Sequence, residues 1–330
     1  MTVVLGIEST AHTFGIGIVK DGKILTNVRD MYTTEKGGII PIESAKHHSK
    51  ISHELYKKAL ESSGIQEKEI DAIAFSQGPG LAPCLLEGMK FAKEISLKLK
   101  KPVVGVNHCV AHLEIGKITG AKDPVMLYVS GANTQVIAYA SEKYRVFGET
   151  LDVGVGNFID NFARYAGIGF PGGPAIEKLA KQGKNFIELP YKVKGMDIAL
   201  SGILTNLKQK IESKKYSLED LSYSLQETVF AMLVETAERA LAHTGKNELL
   251  LGGGVACNSR LQEMCRIMCE ERGAKFFCPE KSLLVDNGSM IAFLGEIMFK
   301  SKSNIFSDEQ INNVDIRPTE RTDDIIVDWK

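Results

Sequence analysis

The segment VVLGIESTAHTFGIGIV at residues 3–19 predicts two β-strands joined by a short polar turn. The first strand is the apolar run that precedes Glu8, and the second contains the alternating residues Gly15-Ile16-Gly17-Ile18. Apolar runs of this length bounded by turn residues are typical of strands within a sheet. Between them, ESTAHTFG supplies the small and polar residues of a turn. The chain therefore begins with a strand–turn–strand unit.

A second unit of the same kind opens the other half of the chain. MLYVSGANTQVIAYA at residues 126–140 is again an apolar strand, a small polar turn and a second strand with a threonine near its start. Strand-like runs and amphipathic helical runs alternate after each unit, which predicts an α/β architecture. The repetition indicates an internal duplication. This pattern resembles the duplicated actin-like and sugar-kinase (ASKHA) fold, in which two lobes enclose a nucleotide in a cleft.

The chain length of 330 residues favours two lobes over one compact core. We expect the first lobe at residues 1–122 and the second lobe at residues 123–288. A C-terminal helix at residues 289–310 should pack back onto the first lobe. The polar tail at residues 311–330 should be only partly ordered.

The composition is that of an ordinary globular protein, with 44% hydrophobic and 25% charged residues. The apolar runs are only as long as strands, so none is expected to cross a membrane, and the start of the chain lacks the features of a secretory signal. The six cysteines contain no C-x-x-C motif. Cys265 and Cys269, on one amphipathic helix, are expected to be buried thiols rather than zinc ligands. These features favour the cytoplasm.

The formal net charge of −1 bears on nucleic-acid binding. A protein that holds RNA alone usually carries a basic stripe. The lysine-rich segment KFAKEISLKLKKP at residues 90–102 is explained by a solvated helix face. If RNA is a substrate, we therefore expect weak binding by the chain alone and help from partner proteins.

A histidine pair lies in GVNHCVAHLEIG, at residues 105–116. His108 and His112 are just over one helical turn apart, so on a helix both imidazoles share one face and are suited to bind a metal. The alternative is a pair of helix-terminal or partly buried histidines that their neighbours satisfy. Zinc metalloproteases place a glutamate general base directly after the first histidine. Here that residue is Cys109, which counts against proteolysis.

Glycines are concentrated in five places, and each is a candidate phosphate-binding turn. A glycine-rich turn between a strand and a helix lets backbone N–H groups approach phosphate, although each turn by itself is also explained without a ligand. None of the five is a P-loop or a complete dinucleotide fingerprint. Asp160 and Glu177 each follow a glycine loop and begin a helical stretch, and Asp286 opens a helix after a strand, so each is either a site carboxylate or an N-cap. The glycine-rich segments are QGPGLAP, VSGAN, VGVGNFID, GFPGGPAIEKLA and LGGGVACNSRL.

Together these motifs, which cover nearly the whole chain, resemble the universal tRNA threonylcarbamoyladenosine transferase family. Its archaeal and eukaryotic members are the catalytic subunit of the KEOPS complex, and the family was formerly described as an O-sialoglycoprotein endopeptidase. The resemblance implies metal-assisted transfer of the threonylcarbamoyl group from threonylcarbamoyl-AMP to N6 of the adenosine adjacent to the anticodon of ANN-decoding tRNAs. The motifs that carry it are GIESTAHTFGIGIV, TTEKGGIIPIESAKHH, AFSQGPGLAP, VGVNHCVAHLEIG, LYVSGANTQV, FGETLDVGVGNFID, GFPGGPAIEKLA, LPYKVKGMDIALSG, LGGGVACNSRL and DNGSMIA.

The resemblance also implies a set of site residues. The metal ligands would be His108, His112, Asp286 and the phenolate of Tyr128, a donor set that suits Fe(II) best, with Zn(II) or Mg(II) as alternatives. Nucleotide phosphate would lie against Tyr128, Val129, Ser130, Gly131 and Ala132. The adenosine and ribose would be held by Asp160, Gly173, Glu177 and Asn258. No general base is assigned.

Three positions differ from residues common in the family. Ala132 stands where many relatives have glycine, and its methyl group is expected to narrow the phosphate turn. Ser9 and Ala199 also differ, and neither belongs to the implied ligand set.

The expected partners are tRNA, a small atypical protein kinase and the other KEOPS subunits, with no membrane. The amphipathic helix at residues 44–63 is a candidate docking surface for the kinase, through Ile51, Leu55, Ala59 and Leu60. The alternative is that these apolar residues belong to the core. Two other functions remain open, a metalloprotease and a non-catalytic ATP-binding scaffold subunit.

Overall fold

The structure, a computed structural model, describes residues 1–34 and 38–330 and has the expected α/β architecture. Glu35–Gly37, within the TTEKGGII motif, lie outside the described residues. The strands are β1 Val3–Glu8, β2 Thr13–Lys20, β3 Lys23–Met31, β4 Ala72–Gly78, β5 Val103–Asn107, β6 Val125–Val129, β7 Thr134–Ala140, β8 Lys143–Glu149, β9 Val193–Lys194, β10 Asp197–Ile198, β11 Glu248–Gly252, β12 Lys275–Phe277 and β13 Ile305–Phe306. The helices are α1 Pro41–Ser63, α2 Ala82–Leu99, α3 His108–Gly116, α4 Val155–Tyr165, α5 Gly173–Ala180, α6 Ser201–Ser213, α7 Leu218–Thr244, α8 Ser259–Arg272, α9 Lys281–Leu284 and α10 Gly288–Ser301.

Two sheets repeat one strand order, as the duplicated openings predict. The first sheet runs β13-β5-β4-β1-β2-β3 and the second runs β12-β11-β6-β7-β8. In the first, β1, β2 and β3 are antiparallel while β1, β4 and β5 are parallel. In the second, β6, β7 and β8 are antiparallel while β6, β11 and β12 are parallel. The two sheets therefore share order and strand direction, and β13 extends the first by one antiparallel edge strand.

Helix α10 follows the second half of the chain but lies on β1 and β2 of the first sheet. The strand residues beneath it are glycines because there is no room for a side chain. A Cβ atom at Gly6 would collide with the backbone of Ala292, and one at Gly17 would collide with the backbone of Ser289. The alternating glycines of β2 thus create a flat face for the helix. The residues just before α10, including Asp286, are carried to the first lobe as a result.

The C-terminal segment packs against the body of the protein, so the expectation of a partly ordered tail is wrong. Ile311 and Val314 are buried in the core of the first lobe. Trp329 Nε1 donates a hydrogen bond to Glu114 Oε1 at 3.2 Å. The predicted helix at residues 289–310 also ends early, at Ser301, since Lys302 adopts a left-handed conformation with φ 63°. Scattered apolar residues in the polar segment anchor it.

The amphipathic face of α1 belongs to the core, so its interpretation as a kinase-docking surface is wrong. Leu55 and Ala59 are buried in the hydrophobic cluster of the first lobe. Ile51 and Leu60 pack against the same cluster and are partly buried. Hydrophobic residues at helical spacing are here explained by packing on the sheet.

Two further expectations from the sequence concern the cysteines and the length of the apolar helices. Cys265 and Cys269 are buried free thiols on α8, as expected. In the part of the chain that the structure describes, no helix is both long and apolar enough to cross a membrane. The lobe boundary after residue 122 stays a prediction.

Candidate active site

Helix α3 begins at His108, directly after strand β5, because Asn107 caps it. The Asn107 side-chain oxygen accepts hydrogen bonds from the backbone N–H groups of Cys109 and Val110, each at 3.1 Å. All nine residues of α3 are buried. The two imidazoles lie on one face with ring centroids 4.8 Å apart, as their spacing predicts. They therefore face the interior of the protein at the carboxyl end of the first sheet.

Asp286 joins this pair from the far end of the chain. Its Oδ1 atom lies 3.5 Å from His108 Nε2 and 3.3 Å from His112 Nε2. The potential ligand atoms of the three residues all lie within 4.8 Å of one another, and no other His, Cys, Asp or Glu group among the described residues meets this spacing. Asp286 does not cap α10, because that role belongs to Asn287, whose side chain accepts from Met290 N at 3.0 Å. The N-cap alternative for Asp286 is wrong.

Glu8 orients the first histidine, and the sequence did not identify it as a site residue. Its Oε2 atom lies 3.0 Å from His108 Nδ1. Its Oε1 atom accepts hydrogen bonds from the backbone N–H of Thr10 at 2.7 Å and from the Thr10 hydroxyl at 2.5 Å. A carboxylate that holds one ring nitrogen leaves the other aimed at a metal, which is the usual arrangement behind histidine ligands. Glu8 ends the strand that opens the chain, and this position at the carboxyl end of β1 was the available signal.

Tyr128 supplies an independent observation that the cluster fits a metal. Its hydroxyl is buried and has no hydrogen-bond partner among the described residues, although burying an unpaired hydroxyl costs free energy. Its ring centroid lies 5.1 Å from that of His112. Burial raises the pKa of Tyr128 well above its ordinary value, so ionisation would require a nearby cation. Two imidazoles, a carboxylate and a phenol are a donor set suited to a divalent transition metal.

The charges of the cluster are strongly coupled. Burial lowers the pKa of His108, but the carboxylates of Glu8 and Asp286 outweigh it and raise that pKa to about 9. Burial lowers the pKa of His112. Burial opposes ionisation of Asp286, yet the two imidazoles hold the pKa of its carboxyl well below the usual range. Two carboxylates therefore converge here, and the site has the negative charge that a cation needs.

Three glycine-rich turns of the second lobe converge on the segment that follows Tyr128. Ser130 closes the turn, since its N–H and hydroxyl both donate to the Asn133 carbonyl at 2.9 Å. A Cβ atom at Gly154 would collide with the Ala132 carbonyl. A Cβ atom at Gly253 would collide with the Val129 carbonyl, and Gly253 also adopts a φ of 88°, which favours glycine. Gly131 and Ala132 are exposed. Ala132 does not adopt a positive φ, so the alanine is accommodated without backbone strain.

The remaining predicted nucleotide residues link the surrounding helices. Asp160 lies inside α4 and accepts from Gly172 N at 2.7 Å. Glu177 lies inside α5 and accepts from the Ser259 hydroxyl at 2.6 Å. Neither carboxylate caps its own helix, so both N-cap alternatives are wrong. Asn258 does cap α8, with Arg260 N donating to its Oδ1 at 2.9 Å.

Gly173 opens α5 beside this group of residues. A Cβ atom built there would meet nothing within 4 Å. The position therefore borders open space, and the glycine is not required by close packing within the chain.

The carboxylate nearest to the histidines along the chain is committed to other contacts. Glu114 accepts hydrogen bonds from the Tyr144 hydroxyl and from Lys117 Nζ, the latter at 2.8 Å. Cys109 is no substitute for a general base, because burial raises the pKa of its thiol to about 12. The residues that a metalloprotease would need next to the metal are therefore missing from both expected positions.

Comparison with known proteins gives a consistent result over the chain. The family profile described as "TsaD: tRNA N6-adenosine threonylcarbamoyltransferase" matches residues 23–293. The chain is 55% identical to the tRNA N6-adenosine threonylcarbamoyltransferase of Thermococcus kodakarensis, with 99% of each chain covered. It is 53% identical to a probable bifunctional tRNA threonylcarbamoyladenosine biosynthesis protein of Methanosarcina mazei, covering 99% of this chain and 60% of that protein.

Similar solved structures bear on the fold alone. The structure of T. kodakarensis HypF matches with a TM-score of 0.63 at 17% identity, and the match covers 91% of this chain and 48% of the HypF chain. Component A of the Acidaminococcus fermentans (R)-2-hydroxyglutaryl-CoA dehydratase has a TM-score of 0.57 at 11% identity, covering 94% of this chain and 100% of its own. With the repeated strand order, these similarities support the duplicated actin-like fold.

Proposed function

Because this chain belongs to the TsaD family of tRNA N6-adenosine threonylcarbamoyltransferases, we propose that His108, His112, Asp286 and Tyr128 hold a metal beside its nucleotide turn. The chain is a transferase of tRNA threonylcarbamoyladenosine synthesis. The observation that supports the proposed site most directly is the position of Tyr128. Its ring centroid lies 5.1 Å from that of His112. Ser130, two residues further along the chain, closes the glycine turn. Metal and nucleotide would therefore be neighbours.

The metal, when bound, would supply a Lewis acid that polarises the donor and stabilises negative charge on the reacting acyl group. The protein residues have separate tasks. Glu8 holds His108 Nδ1 at 3.0 Å and so fixes the direction of that ring. The exposed backbone of Gly131 and Ala132 is suited to donate N–H groups to donor phosphate. This division of labour needs no protein nucleophile.

Binding of the donor adenosine and ribose is proposed for Asp160, Gly173, Glu177 and Asn258. Their hydrogen bonds tie the turn before α5 to α4, and α5 to the start of α8. This rigid framework favours catalysis by positioning. The attacking amine is a poor nucleophile, so orientation of donor and acceptor should supply much of the rate enhancement. No residue is proposed as a general base.

Fe(II) is the proposed metal, and Zn(II) is the main alternative. Imidazole nitrogen suits both ions, whereas Mg(II) prefers oxygen ligands and retained waters. Anaerobic purification followed by elemental analysis and metal reconstitution distinguishes the three. Iron near one equivalent per chain, with activity restored by Fe(II) addition, is expected. Full activity with Mg(II) alone would exclude the proposed ion.

The chain is further proposed to work in the cytoplasm as the catalytic subunit of a KEOPS-type complex with a small atypical protein kinase. Relatives named as bifunctional tRNA threonylcarbamoyladenosine biosynthesis proteins support a partnership of this kind, since this chain covers only 60% of the M. mazei protein. The lobe division at residues 1–122 and 123–288 is part of the same proposal.

One assay tests the proposed function against its alternatives. The purified chain, with its partner proteins, receives unmodified tRNA and threonylcarbamoyl-AMP, and digested tRNA is analysed by mass spectrometry. Threonylcarbamoyladenosine should form with the wild type and not with His112→Ala. No product from correctly assembled wild type would favour a scaffold subunit, and peptide release from a glycoprotein that His108→Ala abolishes would favour a protease.

A further inference from the structure

The near-neutral net charge conceals a strongly uneven distribution of charge along the chain. Residues 161–216 contain ten lysine and arginine side chains against four aspartate and glutamate side chains, a net charge of +6. The rest of the chain must therefore carry −7, since the total is −1. The overall charge suggested that the chain has no basic stripe, but this segment of the second lobe is locally basic.

The lysines of this segment are exposed and largely unpaired. Lys192 and Lys194 lie around β9, while Lys214 and Lys215 follow α6, and all four are exposed. Among the described residues none of these four has an acidic partner within 4.0 Å, whereas Lys181 lies 2.9 Å from Glu177 and Lys208 lies 3.9 Å from Glu212. The lysine-rich α2 of the first lobe differs, because Lys98 there pairs with Glu67 at 2.6 Å. The charge of the segment is thus available to a ligand.

Exposed aromatic rings accompany these lysines. Phe186 is 56% exposed, Tyr191 51% and Tyr216 41%. Lys210 Nζ lies 5.0 Å from the centroid of the Tyr216 ring. Positive side chains interspersed with accessible rings are the features that bind phosphate backbone and unpaired bases.

The basic segment continues from the predicted nucleotide site. Helix α4, which carries Asp160, ends at Tyr165, and Lys208 Nζ of α6 lies 5.3 Å from the centroid of that ring. The loop after α4 meets the first lobe, where Phe170 N donates to the Thr34 carbonyl at 3.2 Å. Helix α6 has 13 residues, so it extends the positive surface by about 20 Å.

We propose that this surface of the second lobe, residues 161–216 including Lys208, Lys214 and Lys215, docks the phosphate backbone of the tRNA substrate. The proposal rests on the proposed function, because it assigns where that substrate lies. RNA is favoured over an acidic protein because positive residues lie along the 13-residue helix α6 and adjoin Tyr165, the last residue of the helix that carries Asp160. A substrate bound there would reach the donor without crossing the acidic remainder of the chain.

The test compares two triple variants with the same charge change. Lys208→Gln, Lys214→Gln and Lys215→Gln remove three charges from the proposed surface. Lys50→Gln, Lys57→Gln and Lys58→Gln remove three exposed charges from α1 and serve as the control. The tRNA dissociation constant is measured between 50 and 200 mM salt for the chain alone and for the assembled complex, and thermal unfolding verifies the fold of each variant.

The surface variant should bind tRNA about tenfold more weakly, and its slope of log K against log salt should fall by about 2 to 3, since each lost phosphate contact removes roughly 0.7–0.9. Its turnover at saturating tRNA should approach the wild-type value, with a raised KM. The control variant should keep the wild-type slope.

Unchanged tRNA binding by a folded surface variant would overturn the proposal. So would loss of a partner protein from the complex with tRNA affinity intact, which would identify a protein interface. Failure of the proposed function has a different signature, because wild type would then bind tRNA without forming product.

Discussion

Asn107 Nδ2 donates a hydrogen bond to Glu320 Oε2 at 3.0 Å, so a carboxylate from the C-terminal segment holds the residue that caps the histidine helix. The other oxygen of Glu320 accepts from Arg317 Nη1 at 2.8 Å. Trp329 reaches Glu114 near the far end of the same helix. The C-terminal segment thus supports α3 at both ends, although it contributes no predicted ligand.

Glu320→Ala should weaken metal binding about tenfold without removing a ligand, because loss of an outer support shifts the helix that bears the histidines. Unfolding free energy should fall by roughly 1–3 kcal/mol, as expected when a buried amide loses its partner. Competition with a calibrated chelator measures the affinity. Asp328→Ala, in an exposed position of the same segment, should change neither quantity. Equal metal affinities for Glu320→Ala and wild type would show that the contact is irrelevant to the site.

His108→Ala, His112→Ala and Asp286→Ala should each lose metal and transferase activity together, since the three converge within 4.8 Å. Elemental analysis after gel filtration gives the metal content, and His53→Ala is the control because that imidazole is exposed on α1. A full equivalent of metal in His112→Ala would remove this histidine from the ligand set.

Tyr128→Phe should produce two effects of opposite sign. Removal of the buried, unpaired hydroxyl should leave the metal-free protein equally stable or slightly more stable, because an unsatisfied polar group is deleted. The same change should lower metal affinity if the phenolate is a ligand. Tyr144→Phe is the matched control, since it breaks the bond to Glu114 and should destabilise the protein by about 1–3 kcal/mol. Unaltered metal affinity in Tyr128→Phe would leave the hydroxyl without a role.

Nucleotide and metal should strengthen each other's binding by the same factor, because their proposed sites are adjacent and binding linkage is reciprocal. A non-hydrolysable donor analogue at saturation should slow removal of the metal by a chelator. Stopped-flow measurement of metal release with and without the analogue tests this. Identical release rates, together with identical metal affinities, would separate the two sites.

His48 should make stability depend on pH in the acid range. Burial lowers the pKa of His48 from 6.5 to about 4. The folded state therefore keeps the ring neutral at pH values where the unfolded state, below pH 6.5, takes up a proton. Its stabilising contribution is present above pH 6.5 and is lost as pH falls towards 4, by at most about 3 kcal/mol. Urea unfolding at pH 7 and pH 4.5 should show a smaller difference for His48→Gln, which keeps a donor for the Ala11 carbonyl. The exposed-site variant His53→Gln should behave as wild type, and an unchanged difference in His48→Gln would assign the acid sensitivity to other groups.

Local patterns account for the parts of this structure that could be predicted from the sequence. The spacing of His108 and His112 placed them on one helical face because that relation depends on a single turn. The repeated strand–turn–strand units indicated the duplication for the same reason. Glu8 was missed because it meets His108 across 100 residues, and no local pattern encodes such a contact. The C-terminal segment was misjudged because its polar composition gave no sign of where its few apolar residues would pack.

The packing of α10 on Gly6 and Gly17 of the first sheet also determines when the site can form. His112 and Asp286 are separated by 174 positions, so a chain emerging from the ribosome releases both imidazoles long before their carboxylate is made. Until α10 arrives, Gly6 and Gly17 remain uncovered. Completion of the ligand set therefore waits for Asp286 and α10 to be synthesised, and a nascent chain that stops before Asp286 lacks the carboxylate that would retain the ion.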